Sequence, residues 1–296
     1  MGTNILNILI FNGKEANFMA ASFHLKVKSR KSKVFIKEQI TAWIFVAPLI
    51  IGIVVFVIYP VVYSFLLSLQ RTNGVIGKYI GFTNYVYILQ DPSFWAAVYN
   101  TIYLGAGTLI VNISVSFIIA CMINSTSYAK NYFKSVYFLP NVVSIVAVSI
   151  LFSFIFYPTE QGLFNFVLSV FKIKPIGWFA DPKYARLGVI LMGLWASMGY
   201  YIIIFLAGLQ NVSRELYEAA QVDGSTKLES WWYITIPSMK PIFVFLIMTG
   251  TISIMKRFAD VWMIGGNAGN PSGTLSTIVL YIYRNAFFAT EVGIGT

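Results

Sequence analysis

The segment from Leu216 to Pro237 concentrates ionisable and small residues in a chain that is otherwise apolar. Its charged residues, with the one that directly precedes it, are Glu215, Glu218, Asp223, Lys227 and Glu229. Exposed carboxylates can form charge-assisted hydrogen bonds with cationic groups of another protein, and small residues permit close approach. The pattern therefore indicates a docking surface, and the competing interpretation is an ordinary polar loop.

Lys256 and Arg257 are the second feature with chemical potential, because they lie inside a long apolar run. Counted from Pro241, a helix would place them about 22 to 24 Å along its axis, within a hydrocarbon core of about 30 Å. Charges at that depth usually face a cavity or a partner. The alternative is that one or both reach the outer interface, or pair with Asp260.

Several other kinds of chemistry are disfavoured. The single cysteine, Cys121, and the single histidine, His24, leave no intrachain disulfide and no metal cluster to expect. The ATP-binding pattern GxxxxGK[ST] is lacking, and so are convergent acid, histidine and serine clusters inside the apolar runs. We therefore expect no metal, no cofactor and no membrane-embedded enzyme.

The elements that hold these residues are membrane helices. Of the 296 residues 57% are hydrophobic and 11% are charged, against about 25% charged in soluble proteins. Apolar runs of about 20 residues recur, which is the length needed to cross a bilayer. We predict an all-α polytopic bundle with five visible spans, at about 42–69, with Pro60 as a kink, and at about 96–123, 133–157, 187–209 and 241–264.

The net charge of +10 could suggest nucleic acid, but the basic residues gather in particular connections, as membrane topology requires. The densest group is a leader, residues 1–38, for which Met19 is an alternative start. This leader and the loop at 212–240 are predicted to be cytoplasmic. The segments "GKYIGFTNYVYILQDPSFW" and "KIKPIGWFADPKYAR" are predicted to lie outside, although the second is itself basic. "TLSTIVLYIYRNAFF" is expected to be an outside, interfacial or partly buried segment.

The polar segment is predicted to form two helices. Ser213 can cap "SRELYEAAQV", and Glu215 and Glu218 suit the positive end of the helix dipole. Gly224 can end this helix in a left-handed conformation. Ser225 and Thr226 can cap the second helix, "KLESWWY", and Pro237 is expected to close the unit.

The same stretch, "EAAQVDGSTKLESWWYITIP", resembles the EAA loop of ABC-importer permease subunits. The matching positions are Glu218, Ala219, Ala220, Asp223, Gly224, Ile234, Ile236 and Pro237. "IGFTNYVYILQDPSFWAAVYNT" and "GTLSTIVLYIYRNAF" are similar to flanking segments of carbohydrate-type permeases. The resemblance spans about 42–293, is closest to the maltose-type branch, and implies a permease domain at 39–296.

The resemblance implies a coupling loop that sits in a groove of a separate ATPase, with Glu218 making polar contacts and Gly224 forming the turn. The implied partners are a second permease subunit, two ATP-binding subunits, an extracellular solute-binding protein, a sugar and the lipid bilayer. Nucleic acid is not among them, and the chain itself would not be an enzyme.

The resemblance also implies a sugar path lined by the fifth span and by the span before the loop. Gly250, Ser253, Ile254 and Arg257 would share one helical face. The preceding span offers Gly193, Ser197 and Tyr200. Hydroxyl groups, a guanidinium and an aromatic ring suit a polyol.

One departure concerns span number, because the family core has six spans and the sequence shows five. The sixth is expected to begin at about "EVGIGT". The alternatives are a permease for glycerol phosphate, an amino acid or a peptide, and a truncated, non-functional fragment.

Overall fold

The computed structural model describes residues 35–125, 130–289 and 292–296. The chain divides into two units, Met1–Leu66 and Leu67–Thr296. The predicted leader lies almost entirely outside the described residues, as do His24 and Met19. The architecture is helical, with one small hairpin, so the all-α prediction is confirmed.

Helix α1, Phe35–Ser68, is long and apolar enough to cross a bilayer. Its apolar side chains are largely exposed. A π-helical turn, Val54–Ile58, ends two residues before Pro60. Since proline lacks an N–H and its ring crowds the preceding turn, a wider turn at this point lets the helix continue.

The second unit begins with a hairpin of β1 (Gln70–Thr72) and β2 (Gly77–Tyr79), paired antiparallel with Arg71 opposite Lys78. The helices that follow are α2 (Thr83–Gln90), α3 (Pro92–Ser125), α4 (Lys130–Val142), α5 (Ile145–Ile155), α6 (Leu163–Val170), α7 (Pro182–Gln210), α8 (Arg214–Val222), α9 (Lys227–Ser238), α10 (Lys240–Met255), α11 (Ala259–Gly265), α12 (Ile278–Phe288) and α13 (Val292–Gly295).

Three helices in the described part of the chain could each cross a membrane alone: α1, α3 and α7. Two bent pairs raise the number to five if each pair forms one span. The third predicted span is such a pair, because its helices Tyr132–Val142 and Ile145–Ile155 meet at 97°. The sequence predicted one span at about 133–157, and the structure divides this segment into two helices. Pro140 lies inside α4 and Ser144 adopts an extended conformation, and both interrupt the helical hydrogen bonds.

The fifth predicted span is also interrupted. Helix α10 ends at Met255, and α11 begins only at Ala259. Lys256 and Arg257 therefore lie in the break between two helices, not inside one. Phe258, with φ of −144° and ψ of −58°, takes the chain out of the helical path.

Close packing of α3, α7 and α10 builds the core of the second unit. One buried cluster joins these three helices through aromatic and aliphatic side chains, among them Phe117, Phe205 and Leu246. A second cluster packs α3 and α7 against α11 and α12. These contacts fix the relative positions of the polar residues that the three central helices carry.

The connections are tied down by buried amides. The Nδ2 atom of Asn84 donates to the carbonyl oxygens of Ser68, Gln70 and Gly293, at 2.8, 2.9 and 3.2 Å. Helix α12 buries Leu280 and Tyr281, so the prediction of a partly buried segment there is confirmed. A further span after residue 296 stays a prediction.

Candidate functional site

A cavity of about 500 Å³ lies among α3, α7, α10 and the bend between α4 and α5. Small-molecule sites in proteins commonly occupy about 300 to 1,000 Å³. All seven residues that the sequence suggested for a solute path line this cavity: Gly193, Ser197, Tyr200, Gly250, Ser253, Ile254 and Arg257. Their joint position follows from the folded arrangement, since they come from two helices and a helix break.

Gly250 allows α10 to approach its neighbours at the cavity. A Cβ atom added there would collide with the Leu109 side chain and would lie 2.9 Å from the Tyr201 hydroxyl. At Gly193 the added atom would lie 3.1 Å from Thr108 and 3.2 Å from Arg257 Nη2. Larger residues at either position would push the three helices apart or fill the cavity.

The predicted helical face that included Arg257 is wrong in one respect. Gly250, Ser253 and Ile254 belong to α10, whereas Arg257 follows the end of that helix. The break turns the guanidinium toward α3 and α7, where Nη1 donates to Thr108 Oγ1 at 2.9 Å and Nη2 to the Val189 carbonyl at 3.2 Å. Arg257 is therefore positioned at the cavity by its contacts with α3 and α7, and not by its spacing along α10.

Arg257 also forms an ion pair with Asp260, which was the structural alternative considered for this residue. Nε and Nη2 of Arg257 lie 2.8 and 2.6 Å from Asp260 Oδ2, and both side chains are largely buried. Asp260 Oδ1 accepts the backbone N–H of Val261 at 2.9 Å. Both charges are compensated within the protein, so the pair holds helices together.

The sequence analysis did not identify five polar residues of the lining: Thr108, Asn112, Asn141, Tyr201 and Thr249. Thr108 and Asn112 lie four positions apart on α3 and thus on one face. Their polar side chains inside an apolar helix are a signal that could have identified them. Asn112 is 1% exposed, and its Nδ2 donates to the Thr108 carbonyl at 3.0 Å.

The docking-loop residues form a separate surface on α8 and α9. Ser213 caps α8 by accepting the Glu215 N–H at 3.2 Å, and Gly224 follows with φ of +78°. The predicted helix–turn–helix is therefore present. Glu218, Ala219, Asp223, Gly224 and Pro237 are exposed, whereas Ala220 and Ile236 are half-buried.

A capping box begins α9. Thr226 Oγ1 accepts the Glu229 N–H at 3.3 Å, and Glu229 Oε2 accepts the Thr226 N–H at 2.7 Å. These hydrogen bonds from Thr226 hold the pKa of Glu229 below its usual range. Ser225 does not cap the helix, because its hydroxyl lies 3.3 Å from Ser230 Oγ instead.

The second helix of the loop ends at Ser238, one residue after Pro237, and so close to the residue that was predicted to close the unit. Helix α9 includes a π-helical turn, Trp231–Thr235, and continues through Ile236–Ser238. The direction changes by 57° at Met239. The wider turn accommodates the proline within the helix. A hydrogen bond of 2.9 Å between the hydroxyls of Tyr217 and Thr235 joins α8 to this turn.

The carboxylates of this loop are available for an outside partner. Within the described residues, the side chains of Glu218 and Asp223 have no hydrogen bond or ion pair. Their neighbours Ala219 and Gly224 are exposed and have small side chains or none, so a partner can approach the backbone closely. Such a surface can accept cationic side chains at short range.

Residues 112–294 match the family described as binding-protein-dependent transport system inner membrane component. The lactose transport system permease protein LacF of Rhizobium radiobacter is 37% identical over 252 residues, which cover 84% of this chain and 84% of that protein. The arabinooligosaccharides transport system permease protein AraP of Bacillus subtilis is 32% identical over 263 residues, covering 88% and 83%.

The fold matches a crystal structure of a bacterial ABC transporter involved in the import of the acidic polysaccharide alginate. The match has a TM-score of 0.75 and 25% sequence identity, and it covers 88% of each chain. The bent third and fifth spans thus occur in a chain whose overall helical arrangement agrees with that of a transporter subunit.

Proposed function

This chain belongs to the family of inner membrane components of binding-protein-dependent transport systems, so it is a multi-pass permease subunit and not an enzyme, and we propose that it translocates a sugar or sugar-like solute. The observation that carries this proposal is the cavity. Hydroxyl, amide and aromatic side chains from α3, α7 and α10 line this one cavity. Sugars present many hydroxyl groups and apolar C–H faces, and this lining suits both.

The relatives support the same solute class. The two compared above are named for transport of lactose and of arabinooligosaccharides. Each match covers more than four-fifths of this chain.

The α8–α9 loop is proposed to couple this subunit to a separate ATPase. Its contact residues are Glu218, Ala219, Ala220, Asp223, Gly224, Ile236 and Pro237. The exposed, unpaired carboxylates and the close-approach surface support this role. The transporter would also contain a second permease subunit and a second ATPase, and the family description implies a solute-binding protein.

The solute path can be tested with two substitutions on α10. Ser253 lines the cavity, whereas Thr251, on the same helix and also exposed in this subunit, does not. Ser253→Phe should lower uptake of the transported sugar about tenfold or more by occupying the cavity, and Thr251→Phe should preserve it. Equal uptake by the two variants, at equal abundance in the membrane, would exclude this path.

Coupling can be tested by co-purification of the ATPase and by solute uptake. Glu218→Lys should lower both, because it reverses a contact charge, while insertion of the spans is unchanged. Gly224→Val should act similarly, since a left-handed residue with a side chain costs roughly 1 kcal/mol or more. Glu160→Lys, at an exposed carboxylate between α5 and α6, is the control. Normal uptake in both loop variants would reject the coupling role and would show that the α8–α9 segment is an ordinary polar loop.

Orientation is tested by labelling intact cells with an impermeant thiol reagent. Because Cys121 is the single cysteine, a Cys121→Ser background is available. Cysteines replacing Lys78 or Lys183 should react, and one replacing Ser225 should not. Labelling at position 225 would overturn the proposed cytoplasmic location of the loop and of the N-terminus.

A further inference from the structure

The charges that line the cavity do not balance. Three charged side chains contribute to its wall, Lys256, Arg257 and Asp260. Arg257 and Asp260 neutralise each other in a largely buried ion pair. The third, Lys256, lines the cavity and is exposed in this subunit, and its side chain forms no hydrogen bond or ion pair with any residue that the structure describes.

Arg257 cannot easily take the role of a ligand for a solute. Its Nε and Nη2 atoms donate to Asp260, Nη1 donates to Thr108, and Nη2 also contacts the Val189 carbonyl. Redirecting the guanidinium would leave Asp260 as a buried charge without a partner, which is strongly unfavourable. The ammonium group of Lys256, by contrast, can meet a solute without breaking any protein contact described above.

A second unpaired group belongs to another residue of the cavity lining, Asn112. Asn112 Oδ1 is buried and lacks a hydrogen-bond partner, and among the described residues it is the sole buried side-chain nitrogen or oxygen atom in this state. Other buried amides are well paired: Asn165, for example, accepts from Ile176 N and Trp178 Nε1. Because an unpaired buried acceptor is costly, a hydrogen-bond donor from outside the subunit is the natural occupant.

We propose that the solute is an acidic saccharide, with Lys256 recognising its negative charge and Asn112 Oδ1 accepting a hydrogen bond from one of its hydroxyl groups. This inference rests on the proposed function, since it concerns the same cavity. A neutral sugar would use the hydroxyl and amide groups but would leave the Lys256 charge without a partner. A saccharide with one carboxylate satisfies both unpaired groups at once.

The probes are two disaccharides of equal size, cellobiouronate and cellobiose, which differ by a carboxylate in place of a hydroxymethyl group. Their equilibrium binding to the purified importer, assembled without the solute-binding protein, isolates the permease cavity from other selective steps. The wild-type complex should bind the uronate about tenfold more tightly, because one ion pair in a wet cavity is worth about this much after screening. The preference should shrink in high salt.

Lys256→Gln should abolish the preference, because binding of the uronate should fall to about the level of cellobiose. Lys174→Gln, at an exposed lysine between α6 and α7 that does not line the cavity, should retain it. Equal binding of the two sugars by the wild type, a preference that survives Lys256→Gln, or binding of neither sugar would each overturn the inference.

Uptake of labelled sugars by the complete importer, measured in parallel, judges the proposed function separately. Uptake of a neutral sugar without any uronate preference in the binding assay would retain sugar transport and reject acidic selectivity. Absence of uptake for every sugar, with a correctly assembled complex, would reject the proposed function itself.

Discussion

The cavity and the α8–α9 loop are built in opposite ways. At the cavity, Arg257 bonds to Thr108 and to Val189, which are 149 and 68 positions away in the sequence. In the loop, the capping box joins residues three positions apart, and the longest side-chain bond described above spans 18 positions. One site depends on packing of distant helices, and the other on hydrogen bonds between near neighbours.

This difference separates two kinds of sensitivity. A substitution in the cavity disturbs several helices together, because its polar groups satisfy one another across α3, α7 and the α10–α11 break. A substitution in the loop should remain local, because Glu218, Asp223 and Gly224 are exposed and carry little tertiary structure. The four predictions that follow test this contrast, from the largest expected effect to the smallest.

Arg257→Met should cause the largest loss of stability, about 3 to 5 kcal/mol, because it leaves Asp260 charged, buried and unpaired. The measurement is thermal unfolding of the purified complex, with abundance in the membrane as a second readout. The double variant Arg257→Met with Asp260→Asn should recover part of the loss. An unchanged unfolding temperature for the single variant would show that the ion pair does not hold the helices.

Gly250→Ala should destabilise the protein by about 1 to 3 kcal/mol, because the added methyl group meets Leu109 and Tyr201 in a packed site. Gly52→Ala in α1 is the matched control, since an added Cβ atom at Gly52 has no atom of the described structure within 4 Å. That control should be neutral or slightly stabilising, because alanine favours helix. The unfolding temperatures of the two variants give the comparison, and similar values would contradict close packing at Gly250.

Thr226→Val should cost about 1 kcal/mol by removing the N-terminal cap of α9. The effect should stay within the loop, so amide hydrogen exchange should increase at the start of α9 while solute binding in the cavity is unchanged. Ser225→Ala should have a smaller effect, because Ser225 does not accept an N–H bond of α9. An equal response to the two substitutions would assign the capping role to both residues.

Acidification should open the first turn of α9 by a small amount. Since the pKa of Glu229 is lowered in the folded protein, its contribution is present above the usual value of about 4.3 and is lost as the pH falls through the folded value. Amide exchange of this turn, corrected for the intrinsic pH dependence, should rise below about pH 4. The Thr226→Val variant should lack this rise, and its persistence there would assign it to another carboxylate.

The sequence by itself determined the elements that depend on local composition and neighbouring residues. Apolar length located the helices, because a bilayer core demands about 20 apolar residues per crossing. Cap and turn chemistry located Ser213 and Gly224, because a helix end must satisfy its own backbone groups with nearby atoms. The seven residues suggested for the solute path also line one cavity, although their choice relied on a resemblance to known permeases.

Only the tertiary structure decided where these helices break and which polar groups remain unpaired. The bend of 97° after Val142 and the helix break after Met255 were not expected from the apolar runs, because a hydropathy pattern carries no information about helix direction. The same is true of Arg257, Lys256 and Asn112. Each is a polar residue in an apolar segment of the sequence. The positions of Asp260, Thr108 and Val189 in the fold determine that the Arg257 guanidinium is fully hydrogen-bonded. Lys256 and Asn112 Oδ1 line the same cavity without a partner. Hydrogen-bond satisfaction is a property of distances between remote atoms, and those distances exist only in the fold.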